Sequence, residues 1–343
     1  MKNYFNNIKQ EIKDYLNILE PNFPEWLNEY INTKELLSQS YISVTCGTIY
    51  SKLFESDFFF SSLDHSVAVA LIVWHFTHDK KQTLAGLFHD ISTPVFKHCI
   101  DFLNGDYMVQ ESTEDLTTDI IRNSKEIMNL LKRDNIDISE INNYHIYPIA
   151  DNDTPKLSAD RLEYSLSNAL FTYNLLDFNS IKEIYDNIEI QKNEENEIEL
   201  GFKTKKIARV FVKVTSKLSI IYREDRTRYS MQLIADILKR LNNENKISIR
   251  DLYELKESDV INIIENSKYN NIFNIWRNAT KIKVSKEEPK DVYFVHHGAK
   301  IRYIDPLFNG KRISKCCKIA KNMIDKNLSY DMNNYVYLDF NFD

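Results

Sequence analysis

The chain has 343 residues, of which 43% are hydrophobic and 27% charged, with a formal net charge of -6. That length holds one large domain or two, and the composition is that of a folded protein with a buried core, not of a disordered one. The negative balance gives no global basic field, which disfavours nonspecific nucleic-acid binding, and only 6 Gly and 7 Pro argue against a loop-rich β architecture.

The N-terminus, MKNYFNNIKQEIKDYLNILEP, is charged and amphipathic and lacks the apolar segment and cleavage site of a signal peptide. Apolar residues at Ile8, Ile12, Leu16 and Leu19 predict a helix over 7–19 that ends before Pro21, and a second helix is expected over 23–37. Residues 1–45 then form a helical cap. After the Phe58-Phe59-Phe60 run, Ser61 or Ser62 caps a helix that carries His65 and ends at Asp79-Lys80. The longest apolar run, Val67 to Phe76, is too short for a bilayer, which needs about 20 residues, so no membrane association and a cytoplasmic location are expected.

A short buried helix over 83–89 should deliver His89 and Asp90, because Ile91-Ser92-Thr93-Pro94 interrupts the helical pattern and Pro94 can restart it over 95–103, with His98 inside. Asn104-Gly105-Asp106 reads as a turn, and 113–133 as a helix that buries Ile120, Ile121, Ile127 and Leu131. A loop over 148–155 leads to a helix starting at Lys156, on which Asp160, Tyr164 and Asn168 stand four apart and share a face. That face reads equally as a nucleotide wall or as an exposed polar stripe beside a core face.

Residues 187–196, acidic and Asn-rich, read as a surface loop or helix end, and 208–241 as a long helical block bent around Tyr222 to Tyr229. From about Lys281 the composition turns β-like in DVYFVHH, KIRYIDPLF and NYVYLDFNF, with a helix over 313–323, which predicts a small α/β lobe over 281–343. His296 and His297, adjacent on a strand, point to opposite faces and make a poor shared metal site. Cys46, Cys99, Cys316 and Cys317 lack zinc-site spacing and read as reduced thiols.

The chemistry concentrates where His65 is followed 24 residues later by the adjacent pair His89-Asp90, across an almost wholly apolar stretch. Buried imidazole and carboxylate need a partner, and a divalent transition metal is one whose charge offsets their desolvation. LDHSVAVA, HDISTPVFKH and SADRLEYSLSNA, in that order, resemble the HD-domain metal-dependent phosphohydrolase superfamily, nearest to its deoxynucleoside triphosphate triphosphohydrolase-like branch. The likeness spans roughly 45–168, continues faintly to about 241 and does not reach the C-terminal part. It implies an all-helical core, here 46–280, and one metal held by His65, His89, Asp90 and Asp160. Relatives of this kind use Mn²⁺ or Fe²⁺, which this N₂O₂ set suits better than Mg²⁺, with Zn²⁺, Ni²⁺ and Mg²⁺ also open.

The chain departs from that branch in four places. Thr93 stands where the triphosphohydrolases have a catalytic His, a second catalytic His falls near Thr113, the phosphate-binding Arg falls at Ser62, and the Gln of a base-recognising Gln-Leu-Gly falls near Thr45. Glu111, Glu114 and His98 are the candidates for the missing acid or base, although Glu114 fits a helix start and His98 in the family more often buttresses the site. Arg226 and Tyr229 match a basic, aromatic segment that helps to line the family's nucleotide pocket. His145 lies in a loop leading to Asp160, and a hydrogen-bonded structural role suits it better than catalysis. No His occurs between His98 and His145, which disfavours a two-metal cyclic-dinucleotide phosphodiesterase.

The resulting expectation is a mostly α-helical phosphohydrolase that cleaves a phosphate ester or anhydride of a nucleotide or small phosphate with metal-activated water. Asp90, Glu114, His98 and Thr93 are its catalytic candidates, Tyr164, Asn168, Arg226 and Tyr229 its substrate-binding ones, and a homo-oligomer is allowed. A deoxynucleoside triphosphate triphosphohydrolase and a catalytically weak nucleotide-binding regulator remain the alternatives.

Overall fold

A computed structural model describes residues 3–105, 108 and 116–342. It is mostly helical, as the sequence predicts, and its strands form two small sheets.

The N-terminal segment folds as α1 (Tyr4–Asn7), α2 (Gln10–Leu19), α3 (Leu27–Ile31) and α4 (Lys34–Ser38). The helix expected over 23–37 is therefore two short ones, broken at Asn32-Thr33, where Thr33 turns to an extended backbone and its hydroxyl donates to the Tyr30 carbonyl. These helices bury Ile12, Tyr15, Leu16, Leu19, Leu27 and Tyr30 in the same hydrophobic cluster as the helices that follow.

The next two helices, α5 (Ser62–Thr77) and α6 (Lys80–Phe88), form the centre of that cluster. Every residue of α5 from Ser62 to Val73 is buried, and from Val67 to Val73 the helix is apolar on every face, as a helix enclosed on every side must be. The two helices touch closely at Gly86: a Cβ there would lie 3.3 Å from both Val69 Cγ1 and Val73 Cγ2. Beyond them come α7 (Cys99–Asn104), α8 (Thr117–Asn123) and α9 (Lys125–Arg133). The single helix expected over 113–133 is split at Ser124, whose extended backbone ends α8 and whose hydroxyl accepts the Ile127 N–H to start α9.

After α10 (Ala159–Ser167), a π-helical turn over 168–172 and α11 (Phe178–Asp186), the chain makes a hairpin, β1 (Ile188–Lys192) with β2 (Ile198–Phe202). This corrects the surface loop or helix end expected over 187–196, of which β1 takes 188–192 and the turn the rest. Ile188, Leu200 and Phe202 point into the core, Glu199 is buried against the Arg312 guanidinium, and Asn196, left-handed at φ 65°, makes the turn. The predicted bent block is α12 (Lys205–Ile221) followed by α13 (Asp225–Asn243).

A second hydrophobic cluster is built by α13, α14 (Asp251–Glu254), α15 (Glu257–Glu265) and α16 (Asn270–Asn278). The predicted strands after residue 281 divide between both clusters. β3 (Lys283–Ser285), β4 (Phe294–Val295) and the final β7 (Tyr335–Tyr337) form an antiparallel sheet on the second cluster. β5 (Leu307–Phe308) extends the β1–β2 hairpin in parallel, and β6 (Lys311–Arg312) pairs with it. Between β6 and β7, α17 (Ile313–Cys316) and α18 (Lys318–Leu328) replace the one helix expected there and send Ile313, Ala320 and Ile324 into the first cluster. All four cysteines are unpaired, and no described helix is long and apolar enough to cross a membrane.

Candidate metal centre

Three short sequence devices bring the donors together. Ser61 and Asp64 form a reciprocal cap that fixes the start of α5, so His65 lies at the onset of its second turn. Asp79 caps α6 by accepting the Lys81 and Gln82 N–H groups, which sets the phase with which that helix ends at His89. Ser158 caps α10 and leaves Asp160 in its first turn.

The two imidazoles are oriented by their outer nitrogens. His89 Nδ1–H donates to the Gly86 carbonyl at 2.7 Å, and His65 Nδ1–H donates to the carboxylate of Glu163. Both Nε2 atoms therefore turn inward, 3.1 Å apart. Asp160 Oδ1 lies 3.2 Å from His65 Nε2 and 3.7 Å from His89 Nε2, while Asp90 Oδ2 lies 3.7 and 3.8 Å from the same two atoms.

With their Nδ1 hydrogens committed outward, neutral imidazoles would present only lone pairs to each other and to the carboxylates. That arrangement needs a proton or a cation between its members. Burial alone would lower the His65 pKa, but Glu163 and Asp160 outweigh it and push the group up to about 10, so without metal the imidazole holds a proton. A divalent ion does the same work by replacing that proton. Ligand atoms each about 2.1 Å from one ion sit roughly 3.0–3.4 Å apart at neighbouring positions, so His65, His89 and Asp160 lie within a few tenths of an ångström of that spacing, while Asp90 would have to move further in.

Asp160 is drawn in most closely, and its oxygen groups with the two His nitrogens within 4.8 Å of one another. Asp90 stands slightly apart because it also serves Lys97, whose ammonium donates to the same Oδ2 at 2.6 Å. Burial would raise the Asp90 carboxyl, yet Lys97, His89 and His65 hold it well below the usual carboxylate range.

Lys97 is absent from the sequence-based candidates, and the reason lies in the backbone. The helix expected over 95–103 begins only at Cys99, because Phe96 and Lys97 are left-handed, at φ 63° and 43°. Two consecutive residues of this kind cost about 1–2 kcal/mol each. The strain is held by packing: the Phe96 ring is buried, meets Tyr50 edge-on, and lies 3.0 Å from where a Cβ would stand on Gly47, itself left-handed at φ 79°.

Glu163 was also missed, although a signal existed. It stands three residues after Asp160 on the same helix, so a second carboxylate faces the centre from one turn along. It is fully buried and receives Tyr15 Oη–H at 3.2 Å and Ser167 Oγ–H at 3.3 Å besides His65.

The remaining candidates fare unequally. Thr93 is buried in the turn after Asp90, its N–H bonded to the Asp90 carbonyl and its hydroxyl without a described partner. His98 stands at the start of α7 and bonds through Nδ1 to the fully buried Asp101 at 2.8 Å. His145 bonds through Nδ1 to Asp151 at 2.8 Å, and neighbouring Tyr144 lays its ring 4.9 Å from that of His89. Tyr164 is half-buried on the Asp160 face, and burial raises its phenol pKa.

Asn168 uses its amide locally instead, donating to the Tyr164 carbonyl and accepting from Thr172. Arg226 is tied to Glu224 and to the Leu53 carbonyl, with its guanidinium over Phe54. Tyr229 is completely buried in the second cluster against Tyr293, so the substrate role expected for it is corrected to a core one. Glu111, Thr113 and Glu114 lie outside the described residues. Two surface clefts, of about 530 and 490 Å³, lie by the N-terminal helices and involve none of the metal donors.

No family model matches the chain. It is similar to the uncharacterized protein YdhJ of Bacillus subtilis (strain 168), with 24% identity over 248 residues that cover 71% of this chain and 72% of YdhJ. Its fold is similar to that of a hypothetical protein from Aquifex aeolicus solved by crystallography, with a TM-score of 0.62, 16% identity, and coverage of 92% of this chain and 93% of the other.

Proposed function

We propose that the chain is a metal-dependent phosphohydrolase that cleaves a phosphate ester or anhydride of a nucleotide-type substrate. The observation that carries this reading is the convergence of two imidazole nitrogens, each with its hydrogen fixed on the far side, with two carboxylates from separate segments. His65, His89, Asp90 and Asp160 would hold a divalent ion, Mn²⁺ or Fe²⁺ by the family resemblance, which would supply a nucleophilic water at neutral pH and offset phosphate charge.

The chain's own residues supply the rest. Glu163 and the Gly86 carbonyl hold the two imidazoles in one tautomer and one orientation. Asp101 likewise holds the His98 Nδ1–H, so that His98, when also protonated at Nε2 as an imidazolium, can give that second proton to a leaving oxygen, work that the Thr93 hydroxyl cannot do. Thr93 can donate a hydrogen bond to a phosphate oxygen, and the Tyr164 ring offers a wall beside Asp160.

The test is metal-stripped protein reloaded with Mn²⁺ and incubated with nucleoside mono-, di- and triphosphates and cyclic nucleotides, with products resolved by chromatography. Nucleoside with phosphate is the expected product class, and tripolyphosphate release would specify the triphosphohydrolase alternative. Stoichiometric metal with no turnover of any member would replace the enzyme by a nucleotide-binding regulator.

A further inference from the structure

We propose that Lys97 is the phosphate anchor of this centre, its ammonium taking a phosphate oxygen in place of the arginine that the resemblance anticipates at position 62. The inference rests on the metal-dependent reading above and adds a residue that the sequence pattern did not single out.

Three observations converge on it. The Lys97 side chain is more than nine-tenths buried, with its ammonium 2.6 Å from the Asp90 oxygen that faces both His Nε2 atoms. An ammonium has three hydrogens, and among the described residues Asp90 is its hydrogen-bond partner, so donors remain for a ligand. Two left-handed residues in succession carry the chain inward here, and strain of that kind persists where the surrounding packing enforces a functional geometry.

Charge accounting gives the ammonium its purpose. Asp90, Asp160 and Glu163 contribute three negative charges, and a divalent ion between neutral imidazoles returns two, which leaves the centre at minus one. Lys97 brings it to zero. A phosphate entering a buried site of net negative charge would be repelled strongly in that low dielectric, whereas a neutral centre with an oriented ammonium accepts it. Ser62, at the position of the family's arginine, is fully buried and brings no charge.

The experiment compares wild type, Lys97→Met and Lys97→Arg, each loaded with Mn²⁺, by titrating the metal and then inorganic phosphate in a calorimeter. Lys97→Met keeps the unbranched stem without the ammonium and is expected to bind one Mn²⁺ per chain as wild type does, while its phosphate affinity falls about 10- to 100-fold. Lys97→Arg should recover most of that loss. Equal phosphate affinity in wild type and Lys97→Met would overturn the anchor while leaving the metal centre intact. Loss of metal from Lys97→Met would make Lys97 a builder of the ligand set instead, and would overturn it too. Wild type that takes up no Mn²⁺ would remove the metal-dependent reading itself, and the anchor with it.

Discussion

Each of the two hydrophobic clusters buries a glutamate, and the two are handled in opposite ways. Glu163, in the first, faces an imidazole that carries a hydrogen toward it and adds donors from Tyr15 and Ser167. Glu257, at the start of α15 beside the second, is equally buried, and its donors among the described residues are neutral, the Ser43 N–H at 2.9 Å, the Tyr50 hydroxyl at 2.7 Å and the Phe96 backbone N–H, with the Lys97 charge acting more weakly. Burial therefore pushes the Glu257 carboxyl up to about 7. Glu163 holds an imidazole in place, whereas Glu257 ties a loop to a helix and is half-protonated near neutrality.

The sharpest way to test that difference is at the centre itself. Asp90→Ala or Asp160→Ala should leave the protein without bound Mn²⁺ after desalting and without hydrolytic activity, while far-ultraviolet circular dichroism stays near wild type. An Asp90→Ala variant as active as wild type would dismantle the ligand assignment. Next in size is Glu163→Gln, which keeps shape but weakens the grip on His65 Nδ1. Metal affinity is expected to fall about 10- to 100-fold, read by competition with a chelating dye.

Glu257→Gln should act on stability, not on metal. The native pKa of about 7 lies above the ordinary 4.5, so the folded state holds an extra proton between those values. Its contribution is fully present below pH 4.5 and is lost as the pH rises through 7, a change of about 3 kcal/mol. Urea unfolding at pH 5 and pH 8 should show that this part of the decline disappears in the Gln variant. If both proteins decline in parallel, Glu257 is charged throughout and the contrast collapses. The smallest expected effect is Ser61→Ala, which removes the cap of α5 for about 1 kcal/mol and, through the position of His65, a few-fold in metal affinity.

How much of this could be read from the sequence depended on whether a position was fixed by its neighbours in the chain. His65, His89, Asp90 and Asp160 sit at helix ends set by local caps, and their convergence follows once those helices pack. Lys97 could not be foreseen because a helical pattern continues through it, and only the fit of Phe96 against Gly47 and Tyr50 overrides that pattern. The β1–β2 hairpin was hidden by its acidic, Asn-rich turn, although alternation at Ile188, Ile190, Ile198 and Leu200 was present on either side. Tyr229 failed for another reason: a polar tip on an aromatic ring suits either a pocket or a core, and here the neighbouring Tyr293 made it core.

Gly86 joins two demands in one residue. The lack of a side chain lets α5 and α6 close on Val69 and Val73, and its carbonyl is the atom that fixes the hydrogen of His89. Drift at this position is opposed twice over, since a methyl group would press on both valines and a displaced carbonyl would free the imidazole to turn. Relatives that keep the ligands are expected to keep the glycine, and a lineage that abandons the chemistry is expected to betray it there as readily as at the histidines.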